Sequence, residues 1–254
     1  MTEPWAVPDS HQQPQVPTSG DLRHEQMYLQ NRMLARLAQP EFEQFVPHLT
    51  IAKLRAGDGI GDTRHLNHRL YFPLSGAVSF VVELEDGKPI ETAMLGRDGV
   101  VGAWALYDTI APNKVVVSIP GTAAVIAVAQ ARAISEASPG FRKLLREHVS
   151  FLFAQVQQTA ACNAAHDVTQ RLCRWLLRTR DLVGDQVPIK QDALAGMLGV
   201  RRSSISIVAS QLQNLGAISY RRGKISITDV IRLEELSCEC SGRLRFANQH
   251  KSWR

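Results

Sequence analysis

Cysteine is scarce in this chain, with four in 254 residues. Cys162, Cys173, Cys238 and Cys240 are too few and too unevenly placed for a disulfide framework. No charged, apolar, small-residue leader opens the sequence, so the expected compartment is the reducing cytoplasm. Long apolar runs are also missing: stretches such as Thr122 to Ala129 fall far short of the roughly 20 residues that span a bilayer, and no membrane partner is expected. Charge of one sign is not dominant overall, at +5, but it is unevenly spread. Residues 1–170 hold 14 Lys/Arg against 17 Asp/Glu, whereas residues 171–254 hold 15 against 7. A cationic last third suits a polyanion whose condensed counterions are released when Lys and Arg neutralise phosphates; an acidic protein would fit the charge equally well.

The length suits two domains. Residues 1–20, with Pro4, Pro8, Pro14 and Pro17 among Gln, Ser and Asp, have no periodic apolar face and read as a flexible tail. A helix is expected from Asp21, its N-cap, to about Ala38, with Met27, Leu34 and Leu37 on one side and Pro40 ending it. A second short helix near Phe42 to Pro47 leads into strands. From Leu49 to Ala129, short β-branched and aromatic runs are separated by glycines. Val78, Phe80, Val82 and Leu84 alternate with Ser79, Val81 and Glu83, and Asp86-Gly87 supplies a hairpin turn. Several such strands suggest a small antiparallel barrel or jelly-roll across residues 21–138, able to hold a ligand between its sheets.

Glycine is then absent between Gly140 and Gly184. Leu145, Val149, Leu152, Val156, Thr159 and Asn163 follow steps of four and three within a helix assigned to residues 139–167. Two readings stand: a helix packed on its own sheet, or a two-fold helix pair joining two chains through these six residues. The second is the expectation, because paired readers can meet successive major grooves one helical turn apart.

Residues 168–236 read as a C-terminal unit, with residues 237–254 as a tail. Val168 to Leu182 forms an amphipathic helix with Leu172, Trp175, Leu176 and Leu177 apolar and Arg171, Arg174, Arg178 and Arg180 largely facing water. The segment from Lys190 to Val208 reads as two short helices hinged at Gly199, the layout of a helix-turn-helix DNA reader. Ile205, Val208, Leu212 and Leu215 recur at helical spacing and can bury, leaving Arg202, Ser203 and Ser206 facing outward. Ala217 to Tyr220 and Ile225 to Thr228 flank Arg221-Arg222-Gly223-Lys224, a wing whose cations can lie along phosphates.

On these residues the chain, over roughly 22–236, resembles the Crp/Fnr superfamily of bacterial transcription regulators. The most specific stretches are Ala193-Leu194-Ala195-Gly196-Met197-Leu198-Gly199-Val200-Arg201-Arg202 and Gly216-Ala217-Ile218-Ser219-Tyr220-Arg221-Arg222-Gly223-Lys224-Ile225. The resemblance implies an α+β fold: an N-terminal antiparallel β-roll like a cyclic-nucleotide-binding domain, a long dimerisation helix and a C-terminal winged helix-turn-helix. It implies a homodimer on a near-palindromic double-stranded DNA site, with RNA polymerase and an unidentified small-molecule or protein effector as further candidate partners. By resemblance Arg202 takes the position of an arginine that commonly contacts guanine, with Arg201, Ser203 and Ser204 around the helix start. The family often has glutamate at the place of Ser203 and can have a second base-reading cation at the place of Ile207. A planar guanidinium matches guanine O6 and N7 with two donors, worth about 1 to 3 kcal/mol of discrimination; the competing reading is that Arg202 grips phosphate. Lys190, Gln191, Arg221, Arg222 and Lys224 are backbone-contact candidates.

The sensor region departs from the relatives that bind cyclic nucleotides. Their Gly-Glu pair corresponds to Gly102-Ala103-Trp104-Ala105-Leu106, and their Arg followed by hydroxyl residues to Pro112-Asn113-Lys114-Val115-Val116. Both the carboxylate and the arginine are replaced, so no tight cyclic-nucleotide binding is expected. An iron-sulfur or redox role for the cysteines is the alternative regulator. No cysteine precedes residue 162, and Cys238-Glu239-Cys240 is closely spaced for the usual cluster motifs, so packing is the expected role and no cofactor or metal is assigned. A metal-dependent cupin-like enzyme is the alternative from another class, resting on His65-Leu66-Asn67-His68 alone. No enzymatic activity is expected. Gly96, Gly99 and Gly102 lack the Lys-Ser/Thr ending of a phosphate loop and read as turns.

Overall fold

The computed structural model describes residues 22–61, 68–85, 87, 89–109 and 113–242. The expected N-terminal tail, Asp21, His65 to Asn67, Asp86, Pro112 and residues 243–254 lie outside the described residues.

The first helix, α1 (Leu22–Tyr28), is much shorter than its apolar spacing suggests. Buried Asn31 breaks it. Its Oδ1 accepts from the backbone N–H groups of Met33 and Leu34, at 3.0 and 3.2 Å. Its Nδ2 donates to the carbonyls of Pro73 and Gly99, each at 3.0 Å. A side chain that substitutes for the helical ladder ends the helix and pins the segment to the roll. A single 3-10 turn follows at Leu34–Arg36. Pro40 lies in the first turn of α2 (Gln39–Glu43) instead of stopping a helix, and a second 3-10 turn spans Val46–His48.

Among the described residues seven strands follow: β1 (Thr50–Leu54), β2 (Gly59–Gly61), β3 (Arg69–Pro73), β4 (Ala77–Glu83), β5 (Pro89–Leu95), β6 (Lys114–Ile119) and β7 (Gly121–Ala127). They form two antiparallel sheets, ordered β1-β7-β3 and β2-β6-β4-β5. The sheets share a core containing Val78, Phe80, Leu95, Val115, Val117, Ala123 and Val125. On β7 the alternate residues Ala124 and Ile126 face a second core, with edge-to-face contacts of Phe45 with Phe72 and Phe141 at its centre. This core is closed by the N-terminal turns, α3 (Val128–Ala137) and the start of α4 (Pro139–Ala165).

Strand β4 departs from simple alternation. Ala77, Val78, Ser79, Phe80 and Val81 are all buried, while Val82 is 39% exposed. The C-terminal unit covers the outer face, so Ala77 and Met94 join the reader's core, and a bulge between Phe80 and Val81 shifts the register.

Helix α4 has 27 residues, about 40 Å of helix. The Ser138 side chain caps it by accepting from the Phe141 N–H, and Pro139 opens its first turn. An Asp167/Gln170 capping box then starts α5 (Val168–Val183). The C-terminal unit continues with β8 (Gln186–Val187), α6 (Gln191–Leu198), α7 (Arg202–Asn214), β9 (Ile218–Arg221), β10 (Lys224–Ile227) and α8 (Val230–Glu235), its three strands ordered β8-β10-β9. Its core gathers Leu172, Trp175, Leu176, Leu194, Leu198, Ile205, Val208, Leu212, Ile218 and Ile225. Among the described residues no helix is long and apolar enough to cross a membrane.

Candidate nucleic-acid interface

The two reader helices meet at a Schellman turn. The N–H of Gly199 donates to Gly196 at 2.9 Å and that of Val200 to Ala195 at 3.0 Å. Gly199 has φ +62°, the left-handed conformation that favours glycine, and a Cβ there would come 2.8 Å from Ile90 Cδ1 on β5, a side-chain end that would have to shift.

Helix α7 starts at Arg202 after extended Arg201, with no side-chain cap on its first turn. Free N–H groups and the positive end of the helix dipole there favour phosphate. Ile205, Val208 and Leu212 are buried, while Arg201, Arg202 and Ser203 are exposed and Ser204 is half-buried. Arg202 Nε lies 3.2 Å from Asp192 Oδ1, with both side chains about two-thirds exposed. Such a pair is weak in water and uses one of five guanidinium donors.

Two residues lie differently from expectation. Leu215, at the helix end, is 48% exposed because the chain turns there into Gly216. Half-buried Ser206 donates to Gln191 Oε1 at 2.7 Å and to the Arg202 carbonyl at 3.2 Å. Ser206 and Gln191 thus tie the two helices together.

The wing turn has Arg222 at φ +49° and Gly223 at +76°, the two positive values of a type I′ hairpin. Arg221, Arg222 and Lys224 are exposed on it. A Cβ on Gly223 would sit 3.4 Å from Lys190 Cγ, so exposed Lys190 shares the wing's surface.

The α5 arginines correct the sequence reading, since three of them turn inward. Arg178 Nη2 is 2.7 Å from Asp98 Oδ2 and 2.9 Å from the Met94 carbonyl. Arg171 donates to the Leu198 carbonyl, and Arg174 is buried. Trp175 Nε1 donates to Glu91 Oε1 at 3.0 Å. Burial pushes the Glu91 carboxyl up to about 7, against the opposing pull of the Ser79 hydroxyl, Arg174, Trp175 and Arg178. Amphipathic spacing makes these arginines look solvated; the outer face of the roll receives Arg178, and the backbone of α6 receives Arg171.

The six residues assigned to a helix pair also divide. Leu145 is buried in the second core, on the side of α4 that the roll occupies, and Thr159 is buried as well. Leu152 is half-buried against the roll. Val149, Val156 and Asn163 are exposed, joined by Phe153, which the sequence reading did not single out. Val149, Phe153 and Val156 are 56%, 62% and 39% exposed and keep the steps of four and three.

In the roll, Ala103–Tyr107 forms a 3-10 turn with Ala103, Ala105 and Leu106 buried and Trp104 edge-on to Phe80. Lys114 pairs with Glu83 at 3.2 Å. Elsewhere the chain brings Cys162, His166, Cys238 and Cys240 together. His166 was not singled out from sequence. The one available signal was the four-residue step from Cys162 to His166, which puts both on one face of a helix.

The fold and the reader define a winged helix-turn-helix unit carried on a β-roll. Residues 170–236 match the model of the Crp-like helix-turn-helix domain. Among solved structures, FixK2 from Bradyrhizobium japonicum is 15% identical with a TM-score of 0.64, covering 75% of this chain and 98% of that one. TTHA1359, a transcriptional regulator of the CRP/FNR family from Thermus thermophilus, is 21% identical with a TM-score of 0.61, covering 74% and 98%. The c-di-GMP responsive global regulator CLP from Xanthomonas campestris is 19% identical with a TM-score of 0.59, covering 76% and 100%. Compared by sequence with curated proteins, the chain has no match. The chain therefore has the fold of the Crp/Fnr regulators, and residues 170–236 match a Crp-like helix-turn-helix domain.

Proposed function

We propose that this protein is a non-enzymatic transcription regulator that reads a near-palindromic DNA site as a homodimer. The observation that carries this reading is the set of exposed cations at the start of α7 and on the wing. Arg201, Arg202, Arg221, Arg222, Lys224 and Lys190 all lie on the solvent side of a firmly packed domain. Arg202 reads a guanine edge in the major groove, and the wing cations, Lys190 and the uncapped start of α7 hold phosphates.

Dimerisation is supported by the outer face of α4. Val149, Phe153 and Val156 present apolar surface at heptad spacing to solvent, which a second copy of the same helix would cover. The roll holds no anionic nucleotide tightly. Residues 103–106 after Gly102 carry no carboxylate, the nearby Arg132 is engaged by Asp108 and the Ala105 carbonyl, and Lys114, which stands near the place of the missing arginine, pairs with Glu83. An effector of other chemistry would act by favouring one arrangement of roll and reader, through the contacts of Glu91 and Asp98 with α5.

Selection from random duplexes tests the reading. The wild type should enrich a two-fold motif, and Arg202→Ala should lose preference at one base pair per half-site. Uniform weakening across all sequences would remove the base-reading role. Calorimetry with cyclic nucleotides should show no tight binding; low-micromolar affinity would overturn that part.

A further inference from the structure

Four potential metal donors converge where the long helix ends. Cys162 lies in the last turn of α4 and His166 one turn later, the His166 N–H donating to the Cys162 carbonyl at 3.1 Å. Cys238 and Cys240 come from the turn after α8 and pack against them. Their donor atoms all lie within 4.8 Å of one another. Cys162 Sγ is 3.6 Å from Cys238 Sγ, and Cys240 Sγ is 3.7 Å from His166 Nδ1. A tetrahedral zinc with bonds of about 2.3 Å to sulfur and about 2.0 Å to nitrogen sets its ligands roughly 3.5–3.8 Å apart. We propose that Cys162, His166, Cys238 and Cys240 form a closed structural site for a single zinc ion.

The surroundings are those of a supported site. The Glu239 carboxylate lies 3.3 Å from His166 Nε2, which leaves Nδ1 on the sulfur side, the arrangement that orients a metal-bound imidazole. Gln158 Nε2 donates to Cys240 Sγ at 2.9 Å, and the Cys240 N–H donates to the Cys238 sulfur. All three cysteines are buried. Zinc would displace the thiol protons on binding and place a divalent cation among the three buried sulfurs. Three thiolates and one divalent ion leave a net charge of −1, which buried Arg174, acting electrostatically on Cys162, offsets. Three sulfurs and one nitrogen, with four protein donors and no open position, select zinc in a structural role. An iron-sulfur cluster would spread its ligands over several irons, wider than these donors stand. The ion fastens the end of α4 to the segment beyond the winged unit and so closes the chain around the whole reader.

The test is elemental analysis of the full chain, purified without a histidine tag and under reducing conditions. One zinc per chain is expected, retained through dialysis. Cobalt in its place should give the intense visible bands of a tetrahedral thiolate complex. Cys238→Ser/Cys240→Ser should lose the ion, whereas Cys173→Ala, whose sulfur lies in the reader's own core, should keep it in full. Should the serine variant fail to fold, chelation of the wild type gives the same answer: the melting temperature should fall and recover on adding zinc. A metal-free chain whose thiols react identically with and without zinc would overturn the proposal. A Cys162–Cys238 disulfide in the reduced preparation, or iron with acid-labile sulfide, would overturn it equally. None of these readouts involves DNA, so they stand or fall apart from the proposed reader.

Discussion

The arginines of α5 and those of α7 and the wing are the same residue type in opposite settings. Along α5, Arg171, Arg174 and Arg178 turn toward the roll and the reader's own backbone, where a carboxylate or carbonyl meets two of them. On α7 and the wing, Arg201, Arg202, Arg221 and Arg222 stand in solvent. Part of the positive charge of the last third is thus turned inward, with Arg178 joining the two halves of the chain. Net charge by region does not locate a binding surface; the partner of each cation does.

The largest expected effect lies on the inward side. Asp98→Ala leaves the Arg178 guanidinium buried without its carboxylate and should cost about 3–5 kcal/mol in denaturant unfolding. A loss below about 1 kcal/mol would erase the contrast between the two sets. Arg202→Ala should do the reverse, changing stability by less than about 0.5 kcal/mol while removing about 1–3 kcal/mol of discrimination at one base pair per half-site. Arg221→Ala and Lys224→Ala should each weaken binding to all sequences and reduce the slope of log affinity against log salt by about 1. An unchanged slope would move those cations off the phosphate surface.

The pH-dependent side of the comparison concerns Glu91 at the seam. Its folded pKa, raised from 4.5 to about 7 by burial, means that the folded chain holds a proton that the unfolded chain releases. This contribution is complete below pH 4.5 and is lost as pH rises toward about 7. Glu91→Gln keeps an acceptor for Trp175 and Ser79 but cannot ionise, so melting temperature should vary less with pH across that window. Parallel wild-type and variant profiles would show that the carboxyl is not desolvated.

The reader was legible because its periodicity, Gly199 and the wing dipeptide Arg222-Gly223 are local signals with local causes. So were the strands of the roll and the length of α4. What escaped depends on contacts distant in sequence. Asn31 ends α1 by bonding to Pro73 and Gly99, which no helical pattern records. Steps of four and three along α4 do not say which side of the helix the rest of the chain covers: they group buried Leu145 and Thr159 with exposed Val149 and Val156 and leave out Phe153. Arg178 and Arg171 read as solvated because the groups that receive them, Asp98 and Met94 of the roll and Leu198 of α6, are distant in sequence. Cys162 and Cys238 meet across the entire winged unit, a separation that hides any ligand spacing.

The most direct measurement of the central claim is sedimentation of the protein with its selected duplex. Two chains per duplex, with half-sites about one helical turn apart and with Phe153→Glu reducing the free protein to monomers, is the result the account predicts. A wild-type chain that sediments as a monomer and binds duplexes without preference would contradict it.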